Sequence, residues 1–144
     1  MEPDWSALEA VARSAIARAY APYSRFPVAA AILFADGQML AGVNVENAAY
    51  PLSLCAERAA VAAGVVGGHG AVRAVLVLTD AAEPTTPCGG CRQVLAEHGA
   101  PDVPVRSVTL QGRTAEHRLG ALLPEAFRSD SLQRRNPHPP RDVW

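Results

Sequence analysis

The chain has three cysteines, and they fall as Cys55-Ala56-Glu57 and Pro87-Cys88-Gly89-Gly90-Cys91. A fold that uses them together must carry two segments some thirty residues apart to one point. Three thiolates can hold a zinc ion tetrahedrally and leave the fourth position to water, the open arrangement of a catalytic zinc. Glu57, two residues beyond the first thiol, is placed to move protons to and from that water. The spacing therefore predicts an enzyme with one zinc per chain, Cys55, Cys88 and Cys91 as ligands and Glu57 as catalytic residue.

At 144 residues the chain has the length of one domain, which buries roughly 70% of its unfolded surface. The chain opens Met1-Glu2-Pro3-Asp4, without a basic leader, and its apolar runs are too short to span a bilayer. A cytoplasmic protein without membrane contact is expected. An odd number of thiols argues against a disulfide framework there. The 13 basic residues, all arginine, and 14 acidic ones leave a net charge of −1. Such a chain lacks the footprint of a nucleic-acid binder and suits a small uncharged substrate.

Hydrophobic spacing predicts a helix over residues 6–20, opened by a Ser6-x-x-Glu9 capping box, with Leu8, Val11, Ala12, Ala15 and Ile16 on one face. Val28 to Phe34 and Met39 to Val43 flank Asp36-Gly37 and read as a hairpin. A second helix is expected from Cys55 to about Gly64, a buried strand over Val72 to Thr79, and a third helix from Gly89 to His98 closed by Gly99. Val105 to Leu110 is a further strand, with a short strand near Thr114 to Leu119 and a last helix over about Gly120 to Phe127, interrupted by Pro124. One domain of residues 1–128 is expected, then a Pro- and Arg-containing tail, 129–144, with little order.

Helices alternating with apolar strands imply a sheet covered on both faces. Both thiol groups then open helices, where free N–H groups and the helix dipole favour thiolate over thiol. Three thiolates on Zn²⁺ leave one negative charge, and Arg58 and Arg92 are the candidate compensating cations.

Five stretches in order carry a family resemblance: Ala21-Pro22-Tyr23-Ser24-x-Phe26, Asn44-Val45-Glu46-Asn47-Ala48, Cys55-Ala56-Glu57-Arg58, Pro87-Cys88-Gly89-x-Cys91-Arg92-Gln93 and Leu122-Leu123-Pro124-x-Ala126-Phe127. Over roughly residues 6–127 the chain resembles the small homotetrameric, zinc-dependent cytidine deaminases. The resemblance implies a three-layer α/β/α sandwich around a mixed five-stranded sheet. It implies that Cys55, Cys88 and Cys91 bind zinc and that Glu57 shuttles protons while hydroxide attacks C4 of cytosine. Asn44 and Glu46 are then expected to hydrogen-bond the ribose, Phe26 and Ala56 to line the substrate pocket, and Arg58 to hydrogen-bond the thiolates. Phe127 is expected to reach a neighbouring subunit's site and stack on the pyrimidine. Gly90 departs from the alanine more usual in that turn, and the tail has no counterpart in the family.

Other readings compete. Cys88-x-x-Cys91 alone suits a redox dithiol, but Cys55-x-Glu57 has no part in that chemistry. A purely structural zinc module needs a fourth protein ligand, and His69, His98, His117 and His138 stand at no recognisable spacing from the thiols. Polynucleotide, tRNA, deoxycytidylate and guanine deaminases commonly place His where Cys55 stands. Blasticidin-type deaminases share Cys-Ala-Glu and are the nearest alternative, though they lack the full Asn44–Ala48 stretch and the Phe127 motif.

Overall fold

The computed structural model describes residues 2–134. Its centre is a five-stranded mixed sheet ordered β2-β1-β3-β4-β5, with β1 spanning Val28–Phe34, β2 Met39–Val43, β3 Val72–Thr79, β4 Pro104–Thr109 and β5 Thr114–Arg118. Only β3 and β4 run parallel. Parallel neighbours need a crossover, here helix α3 (Gly89–His98). Helix α1 (Trp5–Ala15) packs Leu8 and Ala12 on one face of the sheet, against Ala29, Ala31, Leu76 and Leu78. Helix α2 (Ala56–Gly67), α3 and the short α4 (Leu119–Leu122) cover the other face through Ala60, Val61, Leu95 and Leu119, against Ile32, Val75, Val77 and Val105. The expected three-layer α/β/α sandwich is present. No helix among the described residues is long and apolar enough to cross a membrane.

The hairpin, β3 and α3 follow the sequence expectation, and four boundaries differ for identifiable reasons. Asp4, not Ser6, caps α1, its carboxylate accepting the Ala7 amide at 2.9 Å. The α1 helix ends at Ala15 with one 3-10 turn to Arg18, not at Tyr20. Tyr20 is drawn out of it, donating its amide to the Asn44 carbonyl and accepting the Glu46 amide. Helix α2 passes through Gly64 to a left-handed cap at Gly68. Gly64 is a packing glycine, since a Cβ there would lie 2.1 Å from the Phe34 ring. The last expected helix shrinks to α4, because Pro124 keeps Leu123 out of the α region (φ −140°, ψ 76°). A further short helix, α5, spans Ser129–Gln133. Residues 135–144, most of the tail expected to lack order, lie outside the described residues.

One close approach sets the site. A Cβ on Gly42 of β2 would stand 2.2 Å from the Ala56 carbonyl oxygen and 2.5 Å from the Ala60 amide nitrogen. Only a glycine lets the first turn of α2 lie directly on the strand.

Candidate metal and nucleoside site

Val28, at the start of β1, pairs with Thr79, at the end of β3, so both strands open on the same edge of the sheet. The N-termini of α2 and α3 meet above that edge. Cys55 is the N-cap of α2 and Cys88 the N-cap of α3. Neither makes a side-chain capping bond, so both sulfurs are free to face another partner. Cys91 follows in the first turn of α3 and is fully buried.

The three Sγ atoms lie within 4.8 Å of one another, and Cys55 Sγ is 3.8 Å from Cys88 Sγ. A tetrahedron with zinc–sulfur bonds of about 2.3 Å has edges of about 3.8 Å. Three soft sulfur donors at that spacing fit zinc. Among the described residues no other group of three or more metal-ligating side chains exists, and no histidine joins this one. His69 instead pairs with Asp36 at 2.7 Å, and His138 lies outside the described residues.

Glu57 is only 5% exposed. Burial pushes its carboxyl above the usual carboxylate range, although hydrogen bonds and Arg58 oppose the shift. The Cys91 thiol donates to Glu57 Oε2 at 3.5 Å. Burial and the neighbouring Glu57 carboxylate push that thiol far up. Burial also opposes the Cys88 thiolate, but hydrogen bonds from Cys91 and Cys55 outweigh it and lower its pKa. A bound cation is what would stabilise three thiolates together.

Arg58 Nη2 anchors on the Ser53 carbonyl at 2.9 Å and stands 3.7 Å from Cys55 Sγ. Its bond to that sulfur raises the guanidinium pKa further. The other candidate cation is engaged elsewhere. Arg92 donates to the Pro87 carbonyl, the Leu122 carbonyl and Thr86 Oγ1, all oxygen atoms.

A cavity of about 300 Å³ opens over the thiols, with Glu57, Cys55 and Cys88 on one side and Phe26, Asn44 and Glu46 on another. That volume is at the small end of the range for small-molecule sites. Asn44 is spent on local architecture: Oδ1 accepts the Val28 amide at 2.9 Å and Nδ2 donates to the Phe26 carbonyl at 2.8 Å. This leaves one amide hydrogen free and fixes Phe26 at the cavity. Glu46 Oε1 accepts the Tyr23 and Ser24 amides. Bonds from Ser24 and the Tyr23 amide hold its carboxyl below the usual range, so it meets a ligand as an acceptor. Ala56, fully buried, lines the same cavity.

Phe127 is not brought to its own chain's cavity. Its ring is largely exposed, at 59%, and Gln93 Nε2 holds its carbonyl at 2.7 Å. Sequence reasoning missed Ser53, Thr79, Thr85 and Thr86 on the cavity wall. Only Ser53 has a nearby cue, two residues before Cys55. The threonines carry no periodicity or spacing that separates them from loop residues.

A buried carboxyl against a three-thiol cluster, at the mouth of an apolar-walled cavity, defines a metal-dependent hydrolase. The family model described as "Cytidine and deoxycytidylate deaminase zinc-binding region" matches residues 4–107. The chain is 42% identical over 129 residues to the cytidine deaminase of Sporosarcina psychrophila, covering 90% of this chain and 95% of the relative. It is 45% identical over 135 residues to that of Mycobacterium tuberculosis, covering 91% and 95%. Among solved structures, the Burkholderia pseudomallei cytidine deaminase superposes with a TM-score of 0.82 at 41% identity, covering 87% of this chain and all of that one. The M. tuberculosis structure gives 0.76 at 44%, covering 88% and 98%. The chain belongs to the zinc-dependent cytidine and deoxycytidylate deaminase family.

Proposed function

We propose that this protein deaminates free cytidine and deoxycytidine in the cytoplasm, giving uridine and deoxyuridine with release of ammonia, a step of pyrimidine salvage. The observation that carries the reading is Glu57, a buried carboxyl with raised pKa, beside three thiols at metal-site spacing under a nucleoside-sized cavity. Zinc on Cys55, Cys88 and Cys91 would supply Lewis-acid activation of water. Glu57 takes a proton from that water and delivers it to N3 of the cytosine ring. A second transfer through the same carboxyl reaches the departing amine, so water and cytidine balance to uridine and ammonia. A carboxyl desolvated to a pKa nearer neutrality can both accept and donate, as this double duty requires.

Arg58, 3.7 Å from Cys55 Sγ, offsets the excess charge of the three thiolates. Asn44 and Glu46 receive the ribose hydroxyls, and Phe26 and Ala56 bound the base. Phe127, exposed on its own chain, stacks on the base in a neighbouring subunit's cavity, which makes the active form a homotetramer with shared sites. The test is the fall in ultraviolet absorbance of cytidine incubated with purified protein, with uridine identified by chromatography. Turnover by wild type and none by Glu57→Gln is expected. No turnover of either nucleoside by zinc-loaded wild type would contradict the proposal.

A further inference from the structure

The loop between β3 and α3, residues 80–88, brings Cys88 to the site behind a buried Pro87, while Cys88 and the two glycines after it are exposed. Cβ atoms added at Gly89 and Gly90 would meet nothing within 4 Å, and Cys88 itself is exposed. The hydroxyl bonds inside the loop are long: 3.5 Å from Thr79 Oγ1 to Thr85 Oγ1 and 3.4 Å from Thr85 Oγ1 to the Glu83 carbonyl. Arg113, mostly exposed, grips only the far end of the loop, at the Ala82 carbonyl and the Glu83 carboxylate.

Arg92 makes three short bonds, each from a different nitrogen. Nε donates to the Pro87 carbonyl at 2.7 Å, Nη2 to Thr86 Oγ1 at 2.8 Å and Nη1 to the Leu122 carbonyl at 2.8 Å. Thr86 and Pro87 immediately precede Cys88. Leu122 ends α4 and packs against the core between the sheet and α2 and α3. A planar guanidinium fixes the angles among its donors, so one side chain locks the turn and α4 in a single arrangement, which a lysine ammonium cannot do.

We propose that Arg92 is a positioning residue for the metal centre: it fastens the Thr86–Pro87 turn to the end of α4 and so sets where the Cys88 sulfur stands relative to Cys55 and Cys91. The inference rests on the reading of the three cysteines as zinc ligands. Groups behind a metal's ligands orient them, and their loss commonly weakens metal binding about 10- to 100-fold. The same helix also holds the C-terminal segment, through Gln93 on the Phe127 carbonyl and through the Ala96 carbonyl, which Arg128 Nη1 reaches at 2.8 Å. Helix α3 therefore carries two of the thiols and the anchorage of Phe127 together.

The test compares zinc-loaded wild type with Arg92→Lys, Arg92→Ala and Thr86→Val, each first shown to be folded by its circular dichroism melt. Two readouts follow: the rate at which a chromogenic chelator removes zinc, and the thiolate-to-metal absorption of the cobalt(II)-substituted proteins. Both Arg92 variants are expected to release zinc about tenfold faster or more and to shift the cobalt band. Thr86→Val, which loses one bond of three, is expected between them and wild type. Release rates and cobalt spectra equal to wild type in folded Arg92→Lys, even with a lowered melting temperature, would overturn the proposal. If Arg92→Ala does not fold, Arg92→Lys and Thr86→Val decide the matter. A wild type that binds no zinc overturns both this inference and the reading of the cysteines. Zinc held equally by wild type and variants overturns this inference alone.

Discussion

Cys91 and Glu57 touch across two helices, thiol to carboxylate oxygen at 3.5 Å. The innermost thiol and the buried carboxyl are thus direct neighbours. Zinc held by Cys55, Cys88 and Cys91 would supply its Lewis-acid chemistry beside Glu57, which lines the same cavity. The direct test is Glu57→Gln, which keeps the shape and removes the proton carrier. A positioned acid–base group contributes about 10²–10⁴ in rate, and the proposed mechanism asks Glu57 for two transfers. Turnover should fall by an amount at or above the top of that range, with zinc content unchanged by elemental analysis. A variant retaining a tenth of wild-type turnover would show that protons travel by another route.

Gly42 is the second lever, because it acts on α2 without touching ligand or metal. A Cβ 2.2 Å from the Ala56 carbonyl cannot be absorbed by a side-chain rotation, as both nearest atoms are backbone. Gly42→Ala should destabilise the fold by about 1–3 kcal/mol in urea denaturation and reduce activity in the folded fraction. An unchanged unfolding midpoint would mean that β2 and α2 separate more freely than this contact implies.

These two residues mark what the sequence makes legible. Glu57 and its thiols are readable because Cys-x-Glu and Cys-x-x-Cys are short-range patterns whose chemistry depends on spacing alone. The hairpin is readable because Asp36-Gly37 interrupts two apolar runs, and Gly37 does adopt a positive φ of 88°. Gly42 and Gly64 are not readable in the same way. A glycine that stops a helix and one that admits a neighbouring ring look identical until Phe34 is known to lie against Gly64. Arg92 is a further instance, since one of its acceptors, Leu122, lies thirty residues along the chain. The sequence suggests a cation for the thiolates there, whereas the fold uses it as a strut.

The role proposed for Glu46 predicts a substrate preference. Its carboxyl, held below the usual carboxylate range by the Ser24 and Tyr23 bonds, would accept from a ribose hydroxyl and repel a phosphate in the same place. Cytidine and deoxycytidine should react, while cytidine 3′-phosphate and single-stranded oligonucleotides should not. Deamination of an internal cytosine in an oligonucleotide, read by mass spectrometry, would contradict this assignment. Asn44→Ala should raise KM, because it removes the proposed ribose contact and frees the Phe26–Val28 backbone that Asn44 pins.

The proposed shared site is tested at Phe127. Aromatic stacking adds roughly 0.5–1.5 kcal/mol beyond buried area, so Phe127→Ala should weaken substrate binding about tenfold. The protein should elute near four times its 15.1 kDa chain mass, a closed arrangement of mutual insertions. A monomer of full activity in light scattering would exclude a shared site.

The proposed chemistry needs an open metal centre made by three thiols from two helix N-termini. Zinc K-edge X-ray absorption on the active protein measures it directly. One zinc per chain is expected, with three sulfur neighbours at about 2.3 Å and one light neighbour at about 2.0–2.1 Å. Substitution of Cys55, Cys88 or Cys91 by alanine should remove one sulfur or the metal altogether. A closed shell with imidazole as the fourth ligand, or a zinc whose sulfur count is unchanged in all three variants, would contradict the site.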